Sequence, residues 1–395
     1  MTPFVKRFFV RTTLDQIAAR HGVKDALILS AMPLPVLPLR RTATAVAVML
    51  ASMFILWWGL WSIGAAQWRD FIEDWIEAHR TLGYNVTYDS RETEGFPRRI
   101  SLHFTNFVLK NPDGVTIHAN DVSLSTFPWQ WQRFDGKLKH GFELTIPFSG
   151  DKTLLITTTE TVRNHTELED NGDWKFVSLE LTDAKAFWGS APFFSAGAFE
   201  IALERPDTPP KDHKEAGLTF EGSAESITLP SGLDAPFGAD VAKIETSLRV
   251  MGPVPDPRKK ESVAAWNSEN GVVEFDKFFL QWGPLVLATR GTLGLDDDLQ
   301  PEGAFSGQIG NHEQVLKMLM AHDYIPKHEA GMLDSALNLF SKKSTVAGTA
   351  GIEVPITVQL GGLFLGPVRM FEFPEILWEA APPEPAATPP SSPTQ

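Results

Sequence analysis

Ile352-Glu353-Val354-Pro355-Ile356-Thr357-Val358-Gln359-Leu360 alternates apolar and polar side chains without a break. A two-residue period sends successive side chains to opposite faces of a strand, so this run reads as a strand with one apolar and one wet face. Pro355 cannot donate to a ladder, which predicts an edge position or a bulge there. Working back along the chain, the same rhythm recurs in Leu285-Leu287-Thr289, Ile244-Thr246-Leu248-Val250, Phe199-Ile201-Leu203, Val177-Leu179-Leu181, Phe142-Leu144-Ile146-Phe148 and Ile100-Leu102-Phe104. Asn111-Pro112-Asp113-Gly114 supplies a hairpin turn after the earliest of these. The expected fold is mainly β: a large curved antiparallel sheet or open β-groove with a few covering helices.

Two of those helices are predicted near 312–322 and 331–341. Asn311 and Gln314 form a capping pair ahead of Val315, Leu316 and Leu319, and Met332, Leu333, Ala336, Leu337 and Phe340 make a second apolar stripe. No strict internal repeat is present, only recurring strand-turn-strand units.

The N-terminal part is of another kind. No charged residue occurs from Thr42 to Ala66. At 1.5 Å per residue that stretch covers about 37 Å of helix, enough for a hydrocarbon layer of about 30 Å. Seven Lys and Arg precede it against two Asp, a net of +5 that leaves −19 on the remainder of a chain of net charge −14. Positive flanks stay cytoplasmic, so the expected location is the bacterial inner membrane, single-pass, with the N-terminus inside and the body periplasmic. Trp57, Trp58 and Trp61 then fall toward the outer interface. Gly64-Ala65-Ala66 would suit a signal peptidase, but the apolar run is longer than a signal peptide's and follows a 41-residue leader. Beyond the span, Trp68, Phe71, Ile72, Trp75 and Ile76 keep helical spacing until Gly83. The chain therefore divides into a basic leader (1–41), a transmembrane anchor (42–66), a juxtamembrane helix (67–83), a β-rich domain (84–379) and a proline-rich tail (380–395). In the leader, Thr13 to Val23 has the form of a capped helix and turn. Met32-Pro33-Leu34-Pro35 interrupts the chain before a recognition helix, so a short amphipathic helix is expected there.

Composition excludes several chemistries. With no cysteine there is no disulfide, thiolate metal site or cysteine nucleophile. The acidic body repels phosphate backbones, which excludes nucleic acid as its partner. The histidines follow no metal-ligating pattern; His322 and His328 are separated by Pro326. Asp296-Asp297-Asp298 lacks the alternating oxygens and terminal glutamate of a calcium loop and reads as a solvated turn. Nucleophile elbows, phosphate loops and dinucleotide fingerprints are missing. Neither catalytic activity nor a cofactor is expected.

Gly95-Phe96-Pro97-Arg98-Arg99 leads into an alternating strand, and Val354-Pro355-Ile356 precedes Gly361-Gly362-Leu363-Phe364-Leu365-Gly366-Pro367. These two motifs resemble the ends of an uncharacterised family of alphaproteobacterial envelope proteins, DUF2125, over roughly 67–378. The resemblance implies an envelope location and this architecture, with Gly95, Phe96, Pro97, Gly366 and Pro367 as its marks, and it implies no reaction. On the residues alone, Gly95-Phe96-Pro97 reads as a bend before a strand with Phe96 in the core.

An anchor, many amphipathic strands and 27 phenylalanines with 12 tryptophans point to a protein that binds a lipid or other amphiphile on an apolar sheet face. Phe142, Leu144, Ile146 and Phe148 on one strand, with Ile352, Val354, Ile356 and Val358 on another, are the candidate groove residues. The alternative is a scaffold that binds other envelope proteins; an open apolar groove favours the first reading and a filled interior the second.

Overall fold

The strand rhythm and the apolar helix both appear in the computed structural model, which describes residues 39–148, 152–233, 235–257, 259–322, 324, 331, 342–366 and 368–378. The leader motif, the second late helix, His328, Pro367 and the tail lie outside these residues.

Helix α1 (Leu39–Thr81) runs without interruption through the uncharged stretch and beyond it. It is long and apolar enough to cross a membrane, and Val46, Met49, Phe54 and Leu56 are all more than half exposed. Gly83 ends it in the left-handed conformation (φ 88°), with the Tyr84 N–H donating to the His79 carbonyl.

Nineteen strands follow among the described residues, every pairing antiparallel. β1 (Asn85–Thr87) and β2 (Ser90–Glu94) share one edge of β3 (Ile100–Lys110), whose other edge pairs with β4 (Thr116–Phe127). The predicted hairpin joins β3 to β4, its Asn111 side chain accepting the Val115 N–H at 2.8 Å. β5 (Gln130–Lys139) and β6 (Phe142–Pro147) behave as one strand broken in the middle, since β4 pairs with both. β7 (Thr153–Thr158) and β8 (Val162–Leu168) form a second broken strand, because both pair with β9 (Trp174–Trp188).

From β9 the sheet is a meander through β10 (Ala191–Glu204), β11 (Ala216–Thr228), β12 (Asp240–Met251), β13 (Val273–Trp282), β14 (Leu285–Leu295) and β15 (Pro301–Gly310). Helix α2 (Lys260–Ser268), which the sequence rhythm does not reveal, joins β12 to β13 and buries Val263 and Trp266. Helix α3 (His312–Ala321) follows β15 where a helix is predicted. Asn311 precedes it, but its side chain does not cap the helix. It is left-handed (φ 54°) and donates instead to the Pro284 carbonyl at 2.8 Å.

β16 (Lys342–Val346), β17 (Thr349–Gln359), β18 (Gly362–Leu365) and β19 (Val368–Glu372) complete the sheet. β17 is not an edge strand: β15 pairs along one side, and β16 then β18 along the other. Pro355 faces the gap between β16, which ends opposite Glu353, and β18, which begins opposite Ile356, so its missing N–H costs no ladder bond. Leu360 at the β17–β18 turn is left-handed (φ 49°) and 84% exposed. Asparagine tolerates that conformation better. Leu360→Asn is expected to stabilise the body by about 0.5–1 kcal/mol, raising its thermal midpoint by roughly 1–4 °C; calorimetry checks this, and an unchanged or lower midpoint counts against the left-handed turn.

A line of left-handed and broken positions crosses the sheet. Asn106 (φ 50°), the His140-Gly141 break (φ 62° and 79°), Asp183 (φ 50°) and Ser226 (φ 54°) fall in register from β3 to β11. Small polar residues and glycine tolerate this conformation, which interrupts the ladder at each strand without shifting the register. On β3 this also resets the alternation: inward positions are Ile100, Leu102 and Phe104 before Asn106, and Phe107 and Leu109 after it. The Thr158 hydroxyl bridges the break, donating to the Thr182 carbonyl at 2.6 Å and accepting the Glu160 N–H.

Candidate functional site

Register carries one apolar face across the whole sheet. From Ile100, Leu102 and Phe104 it passes through Leu124 and Leu138 to Leu179 and Leu181, then to Phe199 and Ile201, Phe220, Ile244 and Leu248, Phe275 and Phe278, Leu287, Phe305, and finally Ile352 to Val358.

The two ends of this face are covered. At the first, Trp68, Ile72 and Ile76 of α1 lie four residues apart on one helix stripe and pack with Ile100, Leu102 and Phe104, all 7% exposed or less. Phe71 and Trp75, on the flank of the same stripe, remain about 40% exposed. At the second, Leu316, Leu319 and Met320 of α3 pack in one cluster with Ile352, Val354, Ile356 and Leu365. Between them, Phe199, Ile201, Phe220, Ile244, Leu248 and Phe278 are only half-buried. Here the face holds a cavity of about 490 Å³ lined by Phe275, Phe278, Leu287, Leu293, Phe305, Ile356, Val358 and Leu363, with Thr289 among them. That volume falls within the range of small-ligand sites. The hydroxyl of Thr289, which lines this cavity and is paired in register with Phe278, is buried without a partner, so it can donate one hydrogen bond to an acceptor held there.

The opposite face is wet and charged. Lys243 bridges Glu225 (2.9 Å) and Glu245 (2.7 Å), Lys277 pairs with Glu245, and Arg249 makes a forked contact with Asp276 at 2.7 and 2.8 Å. Hydrogen bonds from Lys243 and then Lys277 hold the Glu245 carboxyl below its ordinary range, and Arg249 does the same for Asp276. A depression on this side is lined by Glu180, Glu200, Glu221 and Glu245, which belong to the same solvated pattern. Among the described residues no group of three or more His, Asp or Glu is placed to hold a metal. Asp296 forms a turn, its carboxylate accepting the Asp298 and Gln300 N–H groups.

The candidate groove residues fall on this one apolar face but not in one place. Ile356 and Val358 line the cavity; Ile352 and Val354 do not, although they share with Ile356 the cluster that packs with α3. Phe142, Leu144 and Ile146 are half-buried beyond the line of left-handed positions, and Phe148 is 47% exposed beside the Trp188 ring. Eight strands stand between β6 and β17, about 43 Å along the sheet at 4.8 Å per strand. Phe275, Phe278 and Phe305 escape the sequence reading: the β13 bulge between Phe275 and Phe278 breaks their alternation, and glycines at 303 and 307 dilute it around Phe305. Of the motif residues, Gly95 has φ 102°, and a Cβ there would meet the Arg99 carbonyl oxygen at 2.6 Å. Phe96 is half-buried against Trp61 at the end of the sheet and not in the core, because the turn that carries it projects past β2 and β3. Gly366 is left-handed (φ 57°) in the β18–β19 turn.

Fold and site together define a single-sheet β protein with one continuous apolar face, joined to a helix long enough to span a membrane. The chain belongs to DUF2125, described as uncharacterised proteins conserved in bacteria, whose family model matches residues 61–374. No curated protein and no solved structure matches it.

Proposed function

We propose that α1 anchors this protein in the bacterial inner membrane with the N-terminus cytoplasmic, and that the periplasmic sheet holds the acyl portion of a lipid or similar amphiphile without altering it chemically. The observation that carries this reading is the half-buried stretch of apolar face between two packed ends, with its 490 Å³ cavity. Burying about ten methylene groups there contributes roughly 8 kcal/mol before the costs of association. The excess of Lys and Arg ahead of the span supports the orientation. Packing supports an uncleaved anchor, because Ala65 is 5% exposed and Trp68 1%, within the body's own core.

Native mass spectrometry of detergent-extracted protein tests the proposal. Wild type is expected to carry an amphiphile, and Leu363→Trp, which fills the cavity from the short strand β18, is expected to lose most of it while its thermal midpoint stays within a few degrees. A wild type that carries none sinks the groove and leaves a scaffold for envelope proteins.

A further inference from the structure

We propose that the end of the sheet beside Trp61 is a docking foot, in which the β2–β3 and β4–β5 turns lie in the headgroup layer of the bilayer that α1 spans. The inference rests on α1 being a membrane span and is independent of the groove. Its basis is where the charge-free run ends. Trp61 stands twenty residues beyond Arg41 in the sequence, about 30 Å of helix, which matches the hydrocarbon thickness. Trp61 therefore marks the far boundary of the hydrocarbon layer, and the first charge after it is Arg69.

The sheet is fastened to the helix at that level. The Trp61 indole N–H donates to the Arg99 carbonyl at 2.8 Å, and its ring meets Phe96 edge-on at 5.5 Å. One turn on, Gly64 lets the sheet close against the helix: a Cβ there would come within 3.2 Å of Ile100 and 3.6 Å of Trp131. The turn that carries Phe96 to Arg99 cannot leave this level without breaking these contacts.

Its chemistry suits a phospholipid surface. Trp129 is 58% exposed and Trp131 37%, a costly display in water but a favourable one where an indole has an apolar body in lipid and an N–H at the headgroups. The Arg99 guanidinium lies 4.7 Å from the centre of the Phe127 ring and that of Arg98 5.8 Å, while Trp129 stacks on Phe127 at 5.4 Å. Of the nearby acids, Asp135 pairs with Arg99 at 3.1 Å and Asp170 accepts from Gln132. Arg98 is exposed at the turn, and its fork of donors matches a lipid phosphate.

Absence of cysteine makes the test direct. Trp129→Cys, Arg98→Cys and, as control, Leu360→Cys at the 84%-exposed turn are each labelled with an environment-sensitive fluorophore. The carrier is full-length protein in nanodiscs of phosphatidylcholine and phosphatidylglycerol. Labels at 98 and 129 are expected to emit to the blue of the control, to be severalfold less quenched by iodide, and to be quenched by lipids spin-labelled near the headgroup. Iodide quenching equal to that at 360 overturns the foot, as does protection that arises only when another protein is added. Carbonate extraction of the same sample separates the two failures: release of the protein defeats the anchor, whereas retention with exposed labels defeats the foot alone.

Discussion

Leu102→Asp is expected to abolish folding of the sheet, whereas Ile201→Asp is expected to leave it folded and, on the proposed function, to lose bound amphiphile. Both residues project from the same apolar face, but Leu102 is fully buried under α1 and Ile201 lies half-buried between the covered ends. A carboxylate at 102 has neither water nor a partner, and such a charge costs about 3–5 kcal/mol or more, comparable with the whole stability of a domain. At 201 the carboxylate reaches solvent, so the cost to folding is about 1–2 kcal/mol. A bound acyl chain would still have to desolvate it, which lowers affinity by roughly 10-fold per 1.4 kcal/mol. Thermal unfolding and amphiphile recovery, measured side by side, distinguish the two. Equal unfolding by both substitutions means that the middle of the face is a closed core, and the groove is then lost.

Among the described glycines, Gly141→Ala is expected to be the most damaging addition of a methyl group. A Cβ at that position would sit 1.7 Å from the Thr158 carbonyl oxygen, and φ is 79°. The backbone contact has no flexible side chain to yield, so the two broken strands must separate at the break. A loss of about 3 kcal/mol or more is expected, lowering the thermal midpoint by roughly 10 °C. Gly172→Ala is the comparison, since its φ of 89° carries the same conformational strain with nothing within 4 Å of the added carbon. That variant should lose about 1 kcal/mol. Equal losses would mean that strands 5 to 8 do not approach each other as described.

Much of this architecture is legible in the sequence because the sheet has one dry and one wet face. Ile100-Leu102-Phe104 and Ile352-Val354-Ile356-Val358 announce themselves through the period of two, and the strands they predict are present. What stays hidden is the row of left-handed positions. Asn106, Asp183 and Ser226 look like ordinary polar strand residues, and only register shows that they form one line. Helix α2 is short, and its two buried residues, Val263 and Trp266, give too little periodicity to stand out. The cavity is partly hidden for the same reason: local alternation reports which side a residue faces, not whether a helix comes to rest on top of it. Ile352 and Ile356 are identical by pattern and equally buried in one cluster with Leu316 of α3, yet only Ile356 lines the cavity.

The order of pairing also bears on how such a chain reaches its native state. Each strand is completed by neighbours close to it in sequence; the longest reach is from β15 to β17, across α3. No early strand waits for a partner from the far end, so loop-closure entropy stays low at every step. A chain emerging progressively from the ribosome can therefore add strands to a growing edge. The segment of α1 that packs on β3 and β4 is made before them, and their apolar side chains find a cover as soon as they appear.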